Sequence, residues 1–309
     1  RVPAAVQTTK QGFVFAFDRY TGEPLWPIAE RPVPQSLIPG EKTSPTQPFP
    51  TRPAPYELQG LSENDLIDFT PELKQMALEA ASQLQLGPIY LPPLHRGNEL
   101  GKRGAAVCPT WTGGLNINGG TASDPEAGII YVASVKACNA LLLGRGSDRD
   151  TGGPDEYGRT TADWVSGGGV GTPGPEGLPL VKPPYGRITA IDMNTGEHLW
   201  WIPNGETPDR IRNHPRLAGV ELPNTGQSSH ANALVTRTLL MYGEGRGARP
   251  LFHAVDKRTG ETLGTIELPA PTNAGPMTFL HEGRQYIVAP IGGGAHPGSL
   301  VALRLPESP

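Results

Sequence analysis

The 309-residue chain has 26 Lys and Arg against 30 Asp and Glu, a net charge of −4, and no basic block of the kind that tracks a nucleic-acid backbone. Glycine (40) and proline (35) make up nearly a quarter of it, which favours many turns and short strands over long helices. No apolar run approaches the roughly 20 residues of a membrane-spanning helix.

The chain shows no charged-then-apolar leader at Arg1. A strand is expected over 11–17, so early that further residues are expected upstream. It opens a hairpin over 11–28, where Phe13, Phe15 and Phe17 alternate with Val14 and Ala16. The turn phrase Ala16-Phe17-Asp18-Arg19-Tyr20-Thr21-Gly22-Glu23-Pro24-Leu25-Trp26 returns twice. It reappears as Ala190-Ile191-Asp192-Met193-Asn194-Thr195-Gly196-Glu197-His198-Leu199-Trp200 and as Ala254-Val255-Asp256-Lys257-Arg258-Thr259-Gly260-Glu261-Thr262-Leu263-Gly264. Each copy reads as strand, tight turn and returning strand: Asp bonds backbone amides two residues on, and Gly takes the positive φ. The three aspartates are therefore structural. The tryptophans of the first two copies are expected to cover gaps between sheets. A phrase repeated in this way signals a radial or solenoidal β architecture.

Residues 31–60 hold eight prolines and are expected to form a long ordered connection or lid without a regular ladder. Ser62 and Asp65 have capping-box spacing. Thr70-Pro71 marks a helix start, an apolar stripe runs through Leu73, Met76, Ala77, Ala80, Ala81 and Leu84, and Gly87-Pro88 is the expected stop. The stripe is expected to lie on the outside of a sheet, making 31–100 an insertion with one helix. Residues 105–121 are glycine-rich, and Asp124–Gly128 turns into a strand over 129–134. A second long loop is expected over 143–184. Strands follow over 186–192, 234–241 in two pieces, 277–280, 285–289 and 299–305. Together they make about four to five four-stranded units. Two cysteines, Cys108 and Cys138, could form one disulfide or remain two buried thiols.

At several places the chain resembles the pyrroloquinoline quinone (PQQ) dehydrogenases, most of all the membrane glucose dehydrogenase branch. The opening Thr9-Lys10-Gln11-Gly12-Phe13-Val14-Phe15-Ala16-Phe17-Asp18-Arg19 is similar to the blade that carries that family's cofactor-facing lysine. So are Arg31-Pro32-Val33-Pro34-Gln35, Ser44-Pro45-Thr46-Gln47-Pro48-Phe49, Gly113-Gly114, Asn118-Gly119-Gly120, Asp124-Pro125, Gly186–Asp192 and the closing Gly283–Val288 with its triple glycine. The resemblance implies an all-β fold, an eight-bladed β-propeller of four-stranded antiparallel blades, of which residues 1–309 would be the C-terminal half. It implies PQQ and a Ca²⁺ or Mg²⁺ ion whose ligands lie mostly outside this chain. It also implies a sugar or alcohol substrate, a quinone or cytochrome electron acceptor, and a periplasmic place with membrane attachment through residues not present here.

On that resemblance Lys10 is the lysine facing the quinone oxygens, where an ammonium stabilises developing negative charge. Asn116 and Asn118 offer amides to the cofactor's carboxylates or carbonyls, and Trp111 covers the cofactor face or fills an inter-blade gap. The tryptophan that the family shows near Asn118 is absent. Where related enzymes place an acid before the third repeat, this chain reads Gly245-Arg246-Gly247-Ala248-Arg249-Pro250, and Arg249 could pair with a cofactor carboxylate. His230 and His296, in loops near strand ends, are candidate substrate contacts. Two other readings compete: a non-catalytic propeller scaffold for protein partners, and a half whose raw blade edges pair with another chain.

Overall fold

A computed structural model describes residues 1–306 except 111, 116, 118, 147–162, 167–169 and 173. In chain order, β1 (Ala4–Thr8) and β2 (Val14–Asp18) form a hairpin, as do β3 (Ile28–Pro32) and β4 (Thr46–Pro50). Helix α1 (Pro71–Ser82) precedes β5 (Leu94–His95), β6 (Ala105–Val107), β7 (Gly114–Leu115), β8 (Thr121–Asp124), β9 (Ile129–Val135) and β10 (Asn139–Arg145). Next come β11 (Trp164–Ser166), β12 (Val170–Gly171), β13 (Gly186–Asp192), β14 (Glu197–Pro203) and a one-turn helix α2 (Asp209–Arg212). The chain closes with β15 (Asn232–Val235), β16 (Leu239–Gly243), β17 (Leu251–Asp256), β18 (Thr262–Glu267), β19 (Met277–His281), β20 (Arg284–Gly293) and β21 (His296–Arg304).

Four antiparallel sheets follow one another face to face in chain order. The β1–β2 hairpin meets the β8–β9–β13–β14 sheet through Val14, Leu115, Ile130, Val132 and Ile191. That sheet meets the β15–β16–β17–β18 meander through Tyr131, Ala133, Ile188, Ala190, Ala233, Leu240 and Val255. Phe252, Leu268, Ala270, Ala289 and Ile291 join the meander to β19–β20–β21. The first strands converge: Ala233 N of β15 donates to Gly119 O, between β7 and β8, at 2.9 Å. The last strand of the meander, β18, is exposed along its whole length. Sheets that meet along their inner edges and part along their outer ones make a radial arrangement, as the repeats lead one to expect.

The repeated turns are superimposable in their bonding. Asp18, Asp192 and Asp256 Oδ1 accept from the amides of Tyr20 (2.8 Å), Asn194 (2.7 Å) and Arg258 (2.7 Å). Gly22, Gly196 and Gly260 sit at φ 78°, 77° and 76°. The threonine hydroxyls at 21, 195 and 259 each accept from the following Glu amide at 3.2 Å. Asp124 makes a fourth copy, bonding the amides of Glu126 and Ala127 at 3.2 Å, with Gly128 at φ 74°. The tryptophans do fill the gaps. A Cβ on Gly196 would come within 3.4 Å of Trp26, and one on Gly260 within 3.0 Å of Trp200, so each copy's indole lies on the next copy's turn.

Several expectations need correction. Residues 31–60 do carry a ladder, because its prolines share one parity. Val33 N donates to Pro45 O and Thr51 N to Pro27 O, so the bonded rungs hold odd-numbered residues. Pro32, Pro48 and Pro50 occupy the alternate rungs, where the nitrogen faces outward and no donor is missed. Helix α1 starts as expected, with Thr70 Oγ1 accepting from Leu73 N at 3.2 Å, but it ends at Ser82. There Gln83 and Leu84 turn back, and Gln85 N bonds Gly104 O instead. Leu73, Ala77 and Ala81 share a core with Ala106 and Ala140 of the β6–β10 pair, so the stripe lies on a sheet. The described part of 143–184 contains the end of β10 and all of β11 and β12, not loop alone. Cys108 and Cys138 are joined as a disulfide, one step beyond the Val107–Asn139 rung. Closing a span of 30 residues is worth about 3–4 kcal/mol in a chain-entropy picture.

Register then sorts the chemistry. Asp18, Asp124, Asp192 and Asp256 all lie at one end of the sheets. Lys10, Val135, Gly186, Asn204, Asn232 and Glu244 lie at or beyond the opposite strand ends.

Candidate functional site

Lys10 occupies the first central position of the turn that joins β1 to β2. The turn closes on itself: Gly12 N donates to Thr9 O at 3.0 Å and Thr9 N to Phe13 O at 2.9 Å. The lysine is half-buried. Its carbonyl lies against Gly114, the first residue of β7, where an added Cβ would stand 1.8 Å from Lys10 O. The glycine-rich stretch after β6 is thus laid directly on the Lys10 turn.

The same stretch brings His230 to Lys10. His230 Nε2 lies 3.0 Å from the carbonyl of Thr112, so Nε2 carries the proton and Nδ1 keeps its lone pair. Burial lowers the imidazole pKa, the Thr112 carbonyl opposes this, and the Lys10 charge lowers it further. Both burial and the nearby Lys10 charge favour the uncharged ring. Asn232 Nδ2 donates to His230 O and to Thr272 Oγ1, both at 3.3 Å, which ties this backbone to the segment before β19.

Behind His230 lies a buried polar network. Asn204, fully buried after β14, points Nδ2 at Ser229 O (3.1 Å), Ser229 Oγ (3.1 Å) and Glu244 O (3.0 Å). Glu244, also fully buried, accepts from His253 Nε2 at 3.0 Å and from Arg249 at 3.3 Å. Arg249 also pairs with Glu206 at 3.3 Å. Its guanidinium is therefore engaged by two carboxylates of its own chain. An acid does precede the third repeat, but as Glu244, immediately before the Gly245–Pro250 stretch.

A second buried carboxylate, Glu57, stands beside the Lys10 turn. Ser134 Oγ donates to Glu57 Oε2 at 2.7 Å and Arg187 Nε lies 3.8 Å from the same oxygen. Lys136 Nζ donates to Lys182 O at 3.0 Å. Its pKa is lowered chiefly by burial, with the Glu57 charge opposing. No sequence spacing marks Glu57 or Asn204, which pair with segments remote in the chain, and Glu244 meets Arg249 and His253 only once the chain folds back after β16. His296, at the β20–β21 tip, has Nδ1 2.7 Å from Pro297 O. Trp111, Asn116 and Asn118 lie outside the described residues. Among the described residues no three His, Cys, Asp or Glu side chains come together as a metal site.

Comparison with known proteins gives the family. Residues 1–287 match the family model for the PQQ glucose/ethanol/alcohol dehydrogenase β-propeller domain. The chain is 30% identical to the glycerol dehydrogenase large subunit of Gluconobacter thailandicus, covering 99% of this chain and 43% of that one. It is 28% identical to quinoprotein glucose dehydrogenase A of Acinetobacter calcoaceticus, covering 99% and 39%. A crystal structure of quinohemoprotein alcohol dehydrogenase from Comamonas testosteroni aligns over 99% of this chain and 37% of that one, at 17% identity and a TM-score of 0.48. The chain thus spans about two-fifths of the length of the curated relatives it matches. With a family match over nearly its whole length, the chain belongs to the family of the PQQ glucose/ethanol/alcohol dehydrogenase β-propeller domain.

Proposed function

We propose that this chain forms part of a dehydrogenase that oxidises a sugar or other polyhydroxylated alcohol with PQQ, electrons passing on to a quinone or cytochrome. The observation that carries this reading is the Lys10 turn, fixed at the same end of the sheets as His230 and the Thr112 carbonyl. Relatives named for glycerol and glucose oxidation support a polyol or sugar as substrate. The disulfide supports an oxidising, extracytoplasmic compartment.

The donor set suits an acidic quinone: Lys10 supplies a cation, and the uncharged form of His230 is favoured beside it. PQQ, when bound, supplies the two-electron acceptor for the substrate's C–H bond. Lys10 would hold negative charge on the cofactor's oxygens from a preset position, and His230 remains a candidate substrate contact beside it. In this reading Asn116, Asn118 and Trp111 remain candidate cofactor contacts and His296 a candidate substrate contact. Arg249 holds the Gly245–Pro250 loop through Glu206 and Glu244. The described residues do not form a Ca²⁺ or Mg²⁺ cluster, and no cation ligand is assigned to them.

Supplying the full protein with PQQ and Ca²⁺ or Mg²⁺, then assaying dye reduction with glucose, glycerol and ethanol, tests the reading. Gain of the quinone absorbance together with turnover of glucose or glycerol is expected, with ethanol as the mono-alcohol comparison. Neither gain nor turnover would reject it.

A further inference from the structure

The turn that carries Lys10 is held twice. Its own bonds, Gly12 N to Thr9 O and Thr9 N to Phe13 O, already close the β1–β2 hairpin. A segment more than forty positions along the chain then adds a second set, aimed at the carbonyls on either side of the lysine. Tyr56 Oη donates to Thr9 O, Gln59 Nε2 to Gln11 O at 2.7 Å, and Tyr56 N to Gly12 O at 2.9 Å. Every carbonyl of Thr9, Gln11 and Gly12 is thus engaged from outside, while that of Lys10 itself is covered by Gly114.

The clamp has an unusual anchor. Between Tyr56 and Gln59 lies Glu57, 4% exposed, its backbone 3.3 Å from where a Cβ on Gly12 would stand. Glu57 does not bond the turn itself. It is bound to the neighbouring sheet, by Ser134 of β9 at 2.7 Å and by the Arg187 guanidinium of β13, which also donates to Tyr56 O. A carboxylate this deep needs partners to be tolerated: Oε1 accepts from the adjacent Leu58 amide at 2.9 Å, and the partners of Oε2 come from the two central strands of the next sheet. A hairpin needs none of this to close.

We propose that Glu57 is a positioning residue for Lys10: by tying segment 56–59 to β9 and β13, it fixes the backbone from which the lysine reaches the site. This rests on the proposed function for what Lys10 does, but the fixing of the turn is separable from it.

The test uses the full protein and the variants Glu57→Gln, which keeps shape and loses charge, and Gln59→Ala, which removes one exposed clamp bond and should fold normally. Three quantities are read: amide exchange over 9–13, the rate at which acetic anhydride acylates Lys10 by mass spectrometry, and the Kd for PQQ from quenching of tryptophan fluorescence. Expected for Glu57→Gln are exchange at 9–13 at least tenfold faster, with the Asp192–Gly196 turn unchanged, altered Lys10 acylation, and a tenfold or larger rise in Kd. Gln59→Ala should show the same changes in smaller degree. If both variants leave exchange at 9–13 and Lys10 acylation as in the parent protein, the positioning role is overturned, even where Glu57→Gln lowers Tm. If exchange and acylation change but neither these variants nor Lys10→Ala alters PQQ affinity, the turn is fixed as inferred and the cofactor reading of Lys10 fails instead.

Discussion

Lys10→Ala is expected to lower kcat/KM for the preferred substrate by a factor of about 10²–10³ while leaving Tm nearly unchanged. The size follows from losing one preorganised charge that acts where negative charge develops, an effect of about 3–4 kcal/mol at sites closed to water. The fold should survive, because the bonds that close the turn, Gly12 N to Thr9 O and Thr9 N to Phe13 O, run from backbone to backbone. Lys10→Arg should restore only part of the rate, since a planar guanidinium cannot take the place of a compact ammonium. Dye-reduction kinetics with saturating PQQ measure the effect. A protein that serves only as a scaffold would be indifferent to both substitutions.

Gly114→Ala should have the largest effect on the fold. Gly114 has φ 65°, where a side chain costs roughly 1–2 kcal/mol, and its Cβ would stand 1.8 Å from Lys10 O and 2.7 Å from Lys10 C. Backbone cannot rotate aside as a flexible side chain does, so one strand must move, at about 1–3 kcal/mol more. The total, about 2–5 kcal/mol, is a large share of the 5–15 kcal/mol that holds a typical domain folded. Denaturant midpoints measure it. Gly264→Ala is the control, because nothing lies within 4 Å of a Cβ added there, and it should change stability by no more than about 0.5 kcal/mol. Since the displaced atoms belong to Lys10, the folded fraction of Gly114→Ala should also lose activity.

What was legible in the sequence was local. The Asp-to-Gly turns could be read because every bond that makes them spans two to four residues, from Asp192 Oδ1 to Asn194 N and from Gly196 N to Asp192 O. The start of α1 was legible for the same reason, through Thr70 and Pro71. Its end was not, because Gln85 leaves the helix to pair with Gly104, a bond no helical pattern encodes. The proline-rich ladder of β3 and β4 was hidden because whether a proline is tolerated depends on register, which pairs Glu30 with Pro48 across the hairpin.

The site divides in the same way. Lys10 stood out through its motif, and His230 through its place before a strand. Thr112, Glu57, Asn204 and Glu244 could not be seen, since Glu57 gains its meaning from Ser134 and Arg187, and Glu244 from His253 and Arg249. The two carboxylates that engage Arg249 are likewise invisible in the sequence.

The most direct measurement is a crystal structure of the full protein with PQQ bound. The account predicts Lys10 Nζ within hydrogen-bond reach of the quinone oxygens, with the turn at 9–12 unmoved and His230 beside it. PQQ bound elsewhere, or a Lys10 side chain turned to solvent while the cofactor is in place, would contradict it.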